Sequence, residues 1–183
     1  HRASGALYGL DQINAYLAMY LMLGPSGADY SIDRWLQRRS GAAPVRKSIA
    51  ANVAIRLMQL HLCVIYLFGG LWKVRGETWW DGSAVWFAAA NLEYQSADIA
   101  WWVARYPRLS SSLAHATVFW ESFYIALVWP KFTRPFVLAM AVAVHGGIAL
   151  FLGMITFGTI MIVANMLFVS PVLVRRMVDP KAG

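Results

Sequence analysis

Charged side chains are scarce in this sequence, and their scarcity excludes an ordinary soluble domain. Only 14% of the 183 residues are Asp, Glu, Lys or Arg, whereas 59% are hydrophobic, and the mean hydropathy is +0.50. Soluble domains usually carry about 25% charged residues. The composition is typical of a polytopic membrane protein, and we expect the lipid bilayer to be its main partner.

Cysteine and the common metal-binding patterns are also missing. Cys63 is the only cysteine and lies inside an apolar segment, which excludes an intramolecular disulfide and a cysteine-rich metal framework. The sequence has no HExxH, CxxC or paired-histidine spacing, no phosphate-binding glycine loop and no GxSxG. We therefore predict no metal site. The net charge of +7 comes from basic residues between apolar segments rather than a patch with RNA-binding motifs, so nucleic acid is not an expected partner.

The chain also lacks an initiator methionine. It begins at His1, just before a half-polar helix, without the basic start, apolar core and cleavage site of a signal peptide. We expect residues 1–183 to form a single membrane domain that is a fragment of a longer chain lacking its earlier spans.

The strongest positive signal is the apolar segment at residues 49–72. Its 24 residues would form a helix of about 36 Å at about 1.5 Å per residue, which exceeds a bilayer core of about 30 Å. Its less apolar residues recur at alternating steps of four and three, which places them on one helix face: Asn52, Arg56, Gln59, Cys63, Tyr66, Gly70 and Lys73. Because a charge at mid-bilayer costs at least about 2.5–3.5 kcal/mol, we expect this stripe to line an interior cavity open to the non-cytoplasmic side.

Four further apolar segments complete the predicted fold, an all-α, polytopic transmembrane bundle of about five spans. The last two spans, E and F, would be joined by a tight turn around Gly153. Residues 83–91 are apolar but too short to cross, and predict an interfacial or re-entrant helix. A short surface helix is expected at residues 31–39. Spans A, B, D, E and F are predicted at residues 6–24, 49–72, 113–128, 134–152 and 154–173.

The basic residues predict the orientation of these spans. Loops A–B and D–E and the tail together hold ten Lys or Arg residues, against five on the opposite side. The positive-inside rule therefore predicts a multi-pass protein with a cytoplasmic C-terminus.

Lys73 ends the polar stripe beside Gly69 and Gly70. Such a lysine either extends to the membrane interface or, when partly withdrawn from water, serves as a general base. Both roles remain open from the sequence.

Glu121 and His145 are the other candidate catalytic residues. Glu121 lies in the middle of span D, and we expect it to pair with Arg56, His115 or His145, either as a structural polar contact or in a proton relay. His145 is followed by two glycines, and is either a packing residue or a functional one.

The run RLMQLHLCVIYLFGGLWKVRGETWWDGSAVW resembles the vitamin K-dependent gamma-carboxylase-like family, also called the HTTM (horizontally transferred transmembrane) domain. The family pattern is matched at Gln59, Tyr66, Gly70, Lys73, Trp80 and Gly82. A second stretch, HGGIALFLGMITFGTIMIVANMLFVSP, is similar to the family's late histidine, glycine–phenylalanine span and terminal LF-x-SP. Ser31-x-Asp33 resembles its S-x-D element.

The resemblance implies roles for individual residues. Lys73 matches the lysine that deprotonates reduced vitamin K on the luminal side, His145 matches a buried family histidine, and Glu121 falls where relatives carry an acidic residue. The cofactor would be reduced vitamin K or another quinol. We take as candidate substrate-binding residues Arg56, Gln59, Tyr66 and Trp80.

Two classes of function follow from these observations. One is a membrane enzyme that uses Lys73 on a lipophilic quinol or in carboxylation at the non-cytoplasmic side. The other is a non-catalytic membrane module for maturation, export or binding of a secreted peptide, similar to SdpB. The sequence leaves open whether the protein is an enzyme.

Overall fold

The computed structural model describes residues 9–29, 31–41, 43, 47–93 and 96–178. All regular structure in these ranges is helical, without a strand, which confirms the all-α class. The chain divides into two compact units, residues 1–61 and 62–183, and the boundary falls inside one long helix. We describe each unit by itself.

The first unit contains helices α1 (Gly9–Leu23) and α2 (Ile32–Arg39) and the first turns of α3 (Ile49–Val74). The beginning of predicted span A, residues 6–8, lies outside the described residues. Helix α2 is the expected surface helix, and Ser31 caps it by accepting a hydrogen bond from the Arg34 amide at 3.0 Å. Gly24 lies so close to α3 that an added Cβ would be 3.0 Å from the Ala54 Cβ.

Helix α3 contains the whole predicted span B and extends it to Val74. Gln59, Cys63 and Tyr66 of the predicted stripe are buried, whereas His61 is partly exposed. The stripe is wrong at its amino end, because Asn52 and Arg56 are exposed. Ala54 and Met58 are buried there instead. Polar side chains near a helix end reach water easily, while a small residue such as Ala54 permits close contact with Gly24.

The second unit contains the rest of α3 and seven further helices. The short helices α4, α5 and α6 precede α7, and α8 and α9 form a helical hairpin. Their bounds are α4 (Glu77–Trp80), α5 (Ala84–Ala90), α6 (Ala100–Arg105), α7 (Pro107–Leu127), α8 (Arg134–Phe151), α9 (Ile155–Asn165), a 3-10 turn (Met166–Phe168) and α10 (Pro171–Val178).

Most predicted helices of the second unit are observed, with different ends. Helix α7 begins six residues before predicted span D, with Pro107 in its first turn, where the missing N–H carries no penalty. The turn between α8 and α9 contains Gly153 at φ +67°, as expected.

Predicted span F is the segment that differs most from the structure. It was expected to run to residue 173 as one helix, but α9 ends at Asn165, and a break at Val169 and Ser170 precedes α10. Pro171 explains the break, because proline lacks an N–H and disfavours helical geometry in the preceding residue. The tail at residues 179–183, with Lys181, lies outside the described residues.

Two of the described helices are long and apolar enough to cross a membrane, α3 (Ile49–Val74) and α8 (Arg134–Phe151). Only 39% and 17% of their most apolar windows are buried, so most of their apolar surface has no cover within the described chain. Ile155–Phe168 is a shorter apolar helical segment.

Candidate functional site

Lys73 and Glu121 form an ion pair between α3 and α7. The Lys73 Nζ donates to Glu121 Oε2 at 2.6 Å, and the two side chains are 22% and 10% exposed. The ammonium also lies 5.2 Å from the ring centroid of Trp79, within the range of a cation–π contact. The structure therefore brings together two of the three predicted catalytic residues. The expected partners of Glu121, which were Arg56, His115 and His145, were wrong.

Two glycines allow this pairing. A Cβ on Gly70 would lie 2.6 Å from both the backbone nitrogen and the Oγ of Ser122, so only glycine permits α7 to approach α3 this closely. A Cβ on Gly69 would lie 3.2 Å from Glu121 Oε2 and 3.8 Å from Lys73 Nζ. The ion pair therefore packs directly against the backbone of α3 at Gly69.

Tyr66 is the centre of a second buried cluster, which joins α3, α7, α8 and α9. Its hydroxyl is 2.7 Å from His145 Nε2 and accepts a hydrogen bond from Asn165 Nδ2 at 2.8 Å. Tyr124 donates its hydroxyl hydrogen to Asn165 Oδ1 at 2.7 Å. The rings of Tyr66 and Tyr124 stack with centroids 4.1 Å apart. Four helices are thus joined by one continuous chain of polar contacts.

His145 is the most buried of the predicted catalytic residues, with 3% of its surface exposed. The rings of Trp120 and Phe157 lie edge-on to its imidazole, with centroids 6.1 and 5.8 Å away. Its Nδ1 atom has no hydrogen-bond partner among the described residues. A buried polar atom without a partner is costly to a folded protein.

Gly158 fixes the position of His145 from the other side of the helical hairpin. A Cβ on Gly158 would overlap the backbone oxygen of His145 and approach the Ala149 Cβ to 2.7 Å. Helix α9 can therefore pack against α8 at this level only with glycine at position 158.

Trp80 is the last residue of the short helix α4 and is half exposed. Its indole Nε1 donates to the Val74 carbonyl at 2.6 Å, and its own carbonyl is 3.0 Å from His115 Nε2. These contacts give Trp80 a structural task at the end of α3. The described contacts do not join it to the Lys73–Glu121 pair.

Asp81 is the C-cap residue of α4 and stabilises the turn that follows. Its carboxylate accepts hydrogen bonds from the Ser83 hydroxyl at 2.6 Å and the Ser83 amide at 2.8 Å. These two bonds, the hydroxyl bond first, lower the pKa of the Asp81 carboxyl below its ordinary value. Gly82 follows at φ +82°, and its carbonyl accepts a 2.9 Å hydrogen bond from Ser110 on α7.

Arg56 and Gln59 belong to the first unit. Arg56 Nη1 donates to Gln59 Oε1 at 3.0 Å, one turn along α3. Their predicted role in substrate binding stays a prediction.

Sequence reasoning did not assign Asn165, Tyr124 or Trp120 to the site. An asparagine inside an apolar helix was the available signal for Asn165, because such a residue usually bonds across helices. Tyr124 and Trp120 carry no comparable signal, since aromatic residues are common in apolar helices. No group of three His, Cys, Asp or Glu side chains suited to a metal occurs among the described residues.

Comparisons with protein-family models, with curated proteins and with solved structures find no match to this chain. The chemistry of the site therefore rests on the geometry of its own residues.

Proposed function

We propose that this chain is the membrane core of an HTTM-type integral membrane protein, and that it uses Lys73 to remove a proton from a lipophilic quinol. The observation that carries the proposal is the Lys73–Glu121 hydrogen bond of 2.6 Å, formed by two largely buried side chains between helices. A base must be able to reach its neutral form, and Glu121 is placed to take the proton that Lys73 must first lose.

The membrane setting is supported by the exposed apolar surface. Trp72 and Phe68 of α3, and Leu150 and Phe136 of α8, are each at least 66% exposed. Patches of this kind are rare on soluble monomers and are expected where lipid covers the helices. In the proposed arrangement α1, α3, α7, α8 and α9 are the five spans, α5 lies at the interface, and the C-terminus is cytoplasmic.

The proton has a defined path within the pair. Transfer from Lys73 Nζ to Glu121 Oε2 converts an ion pair into a neutral amine beside a neutral carboxylic acid, and the total charge stays the same. Removal from water makes the neutral arrangement easier to reach, because charges are poorly solvated in a low dielectric. The free amine then accepts a proton from the substrate, which leaves Lys73 as an ammonium beside a protonated Glu121, and Glu121 must release its proton to water before the pair can act again.

The chemistry of two residues, His145 and Lys73, supports a quinol as the substrate. His145 offers a buried nitrogen without a partner among the described residues, and the rings of Trp120 and Phe157 provide apolar, aromatic surroundings. A reduced quinone, when bound, supplies a hydroxyl of moderate acidity on a flat apolar ring. Lys73 and His145 are the residues that would hold its oxygens.

The test uses the purified protein in lipid nanodiscs with phylloquinol as the probe. We expect oxygen-dependent consumption of phylloquinol by the wild type and its loss in Lys73→Arg, because arginine keeps the charge but has no accessible neutral form. The matched control is Lys131→Arg, which changes an exposed lysine in the loop before α8 and should retain full consumption. Equal rates in the two variants would show that Lys73 is not the base.

A non-catalytic peptide-binding module is the second candidate. One observation favours it, an open and largely apolar surface pocket of about 270 Å³ beside the α4–α5 loop, lined in part by Trp86, Val103 and Pro107. A peptide side chain would fit such a volume. If phylloquinol is not consumed by the wild type, while a secreted peptide encoded next to this chain binds in nanodiscs and Trp86→Ala abolishes that binding, this candidate replaces the enzyme.

A further inference from the structure

The hydrogen bonds around Asn165 have fixed directions. Its Nδ2 donates to the Met161 carbonyl at 2.8 Å, and a carbonyl oxygen can only accept. This contact identifies which end of the amide is the nitrogen. The second Nδ2 hydrogen therefore goes to the Tyr66 oxygen at 2.8 Å, and Oδ1 accepts from Tyr124.

The orientation of the Asn165 amide also fixes the hydrogen-bond directions at Tyr66 and His145. A hydroxyl has a single hydrogen, and the Tyr66 oxygen already accepts from Asn165. Among the described residues, its own hydrogen has one available acceptor, His145 Nε2 at 2.7 Å. Nε2 must then be bare, and the proton of the neutral imidazole must be on Nδ1.

We infer that Asn165 is a positioning residue that holds His145 in its Nδ1–H tautomer, so that the Nδ1–H is a donor kept available for a ligand oxygen. Nδ1 has no partner among the described residues, although only 3% of the His145 surface is exposed. In most folded proteins a buried N–H of this kind donates a hydrogen bond to an acceptor of the same chain. This inference rests on the proposed function and deepens it. An Nδ1–H that is always a donor binds the oxygen of an uncharged quinol better than a ring nitrogen that alternates between donor and acceptor.

The tautomer is measured without turnover, by ¹⁵N nuclear magnetic resonance of histidine-labelled protein in nanodiscs near neutral pH. Protonated and bare ring nitrogens differ in chemical shift and in one-bond coupling to hydrogen. A His145→Gln spectrum identifies the signals of His145 among the four histidines. We expect the wild type to show the coupling on Nδ1 and none on Nε2. The opposite pattern would overturn the inference, whatever the outcome with phylloquinol.

Two variants test the part played by Asn165. Asn165→Leu removes both amide hydrogens at similar size, and we expect the single tautomer to be lost, with an Nε2–H signal appearing. Tyr124→Phe is the matched control, because it removes a hydroxyl from the same network while Met161 still orients the amide, and it should keep Nδ1–H alone. A wild-type spectrum in Asn165→Leu would remove the assigned role. If that variant does not fold, Tyr66→Phe interrupts the same path and should also give mixed tautomers, and a single Nδ1–H tautomer in that variant would equally overturn the inference.

Discussion

Gly70→Ala is the substitution that most directly tests the approach of α3 and α7. The added Cβ would lie 2.6 Å from the Ser122 backbone nitrogen and 2.9 Å from its Cα. Ordinary contacts of a Cβ begin at 3.4 Å, so α7 would have to move by 0.8 Å or more. Because the obstacle is backbone, a rotamer change cannot relieve it, and removing the Ser122 hydroxyl should not rescue the variant.

The expected cost follows from overpacking. Inserting one methyl group into a close-packed contact costs about 1–3 kcal/mol, and the gain in helix propensity from glycine to alanine returns about 1 kcal/mol at most. We therefore expect a net loss of up to about 3 kcal/mol in the free energy of unfolding. The same movement would disturb the Lys73–Glu121 pair, because Glu121 precedes Ser122 and packs against Gly69, the residue before Gly70.

Two other glycines supply the controls. A Cβ on Gly146 would meet nothing within 4 Å, so Gly146→Ala should be neutral or slightly stabilising. Gly69→Ala would meet the end of the Glu121 side chain at 3.2 Å, which can give way, and should be intermediate. Reversible unfolding in mixed micelles measures all three variants. Equal stability of Gly70→Ala and Gly146→Ala would refute the close contact at Ser122.

Two further predictions concern charged groups. Glu121→Gln or Lys73→Met alone should destabilise the protein by up to about 3–5 kcal/mol, because each leaves a buried charge without its partner. The double variant should lose clearly less stability than the sum of the two single losses. Strictly additive losses in a double-mutant unfolding cycle would show that the two side chains do not interact. The pKa of Asp81 is lowered in the folded chain, so the ionised carboxylate stabilises the α4–α5 loop. This stabilisation is fully present above the unfolded-state pKa of about 3.9 and is lost as pH falls through the lower folded-state pKa. In strong acid, hydrogen exchange of the Ser83 amide should therefore accelerate relative to its intrinsic rate. Asp81→Asn should abolish this pH dependence. If the variant remains as pH-sensitive as the wild type, another group causes the effect.

The sequence predicted helices well where one physical signal dominated. Span B was found because an apolar run of that length, with so few charges, is typical of a long apolar helix and of little else. Helix α8 and its turn at Gly153 were found because forty nearly uncharged residues cannot form one span. The end of span F was missed although Pro171 was visible, since length was weighed above the backbone restriction that proline imposes. The prediction of a buried stripe was wrong near Asn52, because periodicity shows which helix face a residue lies on but not how far along the helix that face is buried.

The pairing of Glu121 with Lys73 shows that sequence periodicity alone does not predict contacts between helices. Spacing along one helix gives the angle of a side chain, but the pairing of two helices also needs their relative height, which is set by where their backbones come closest. Here that height is fixed by Gly70 against Ser122, and it places Glu121 beside Gly69 and Lys73. Gly158 acts in the same way for α9 and His145. In a chain of apolar helices the small residues therefore carry the information about which polar groups meet, and reading them first would have favoured Lys73 as the partner of Glu121.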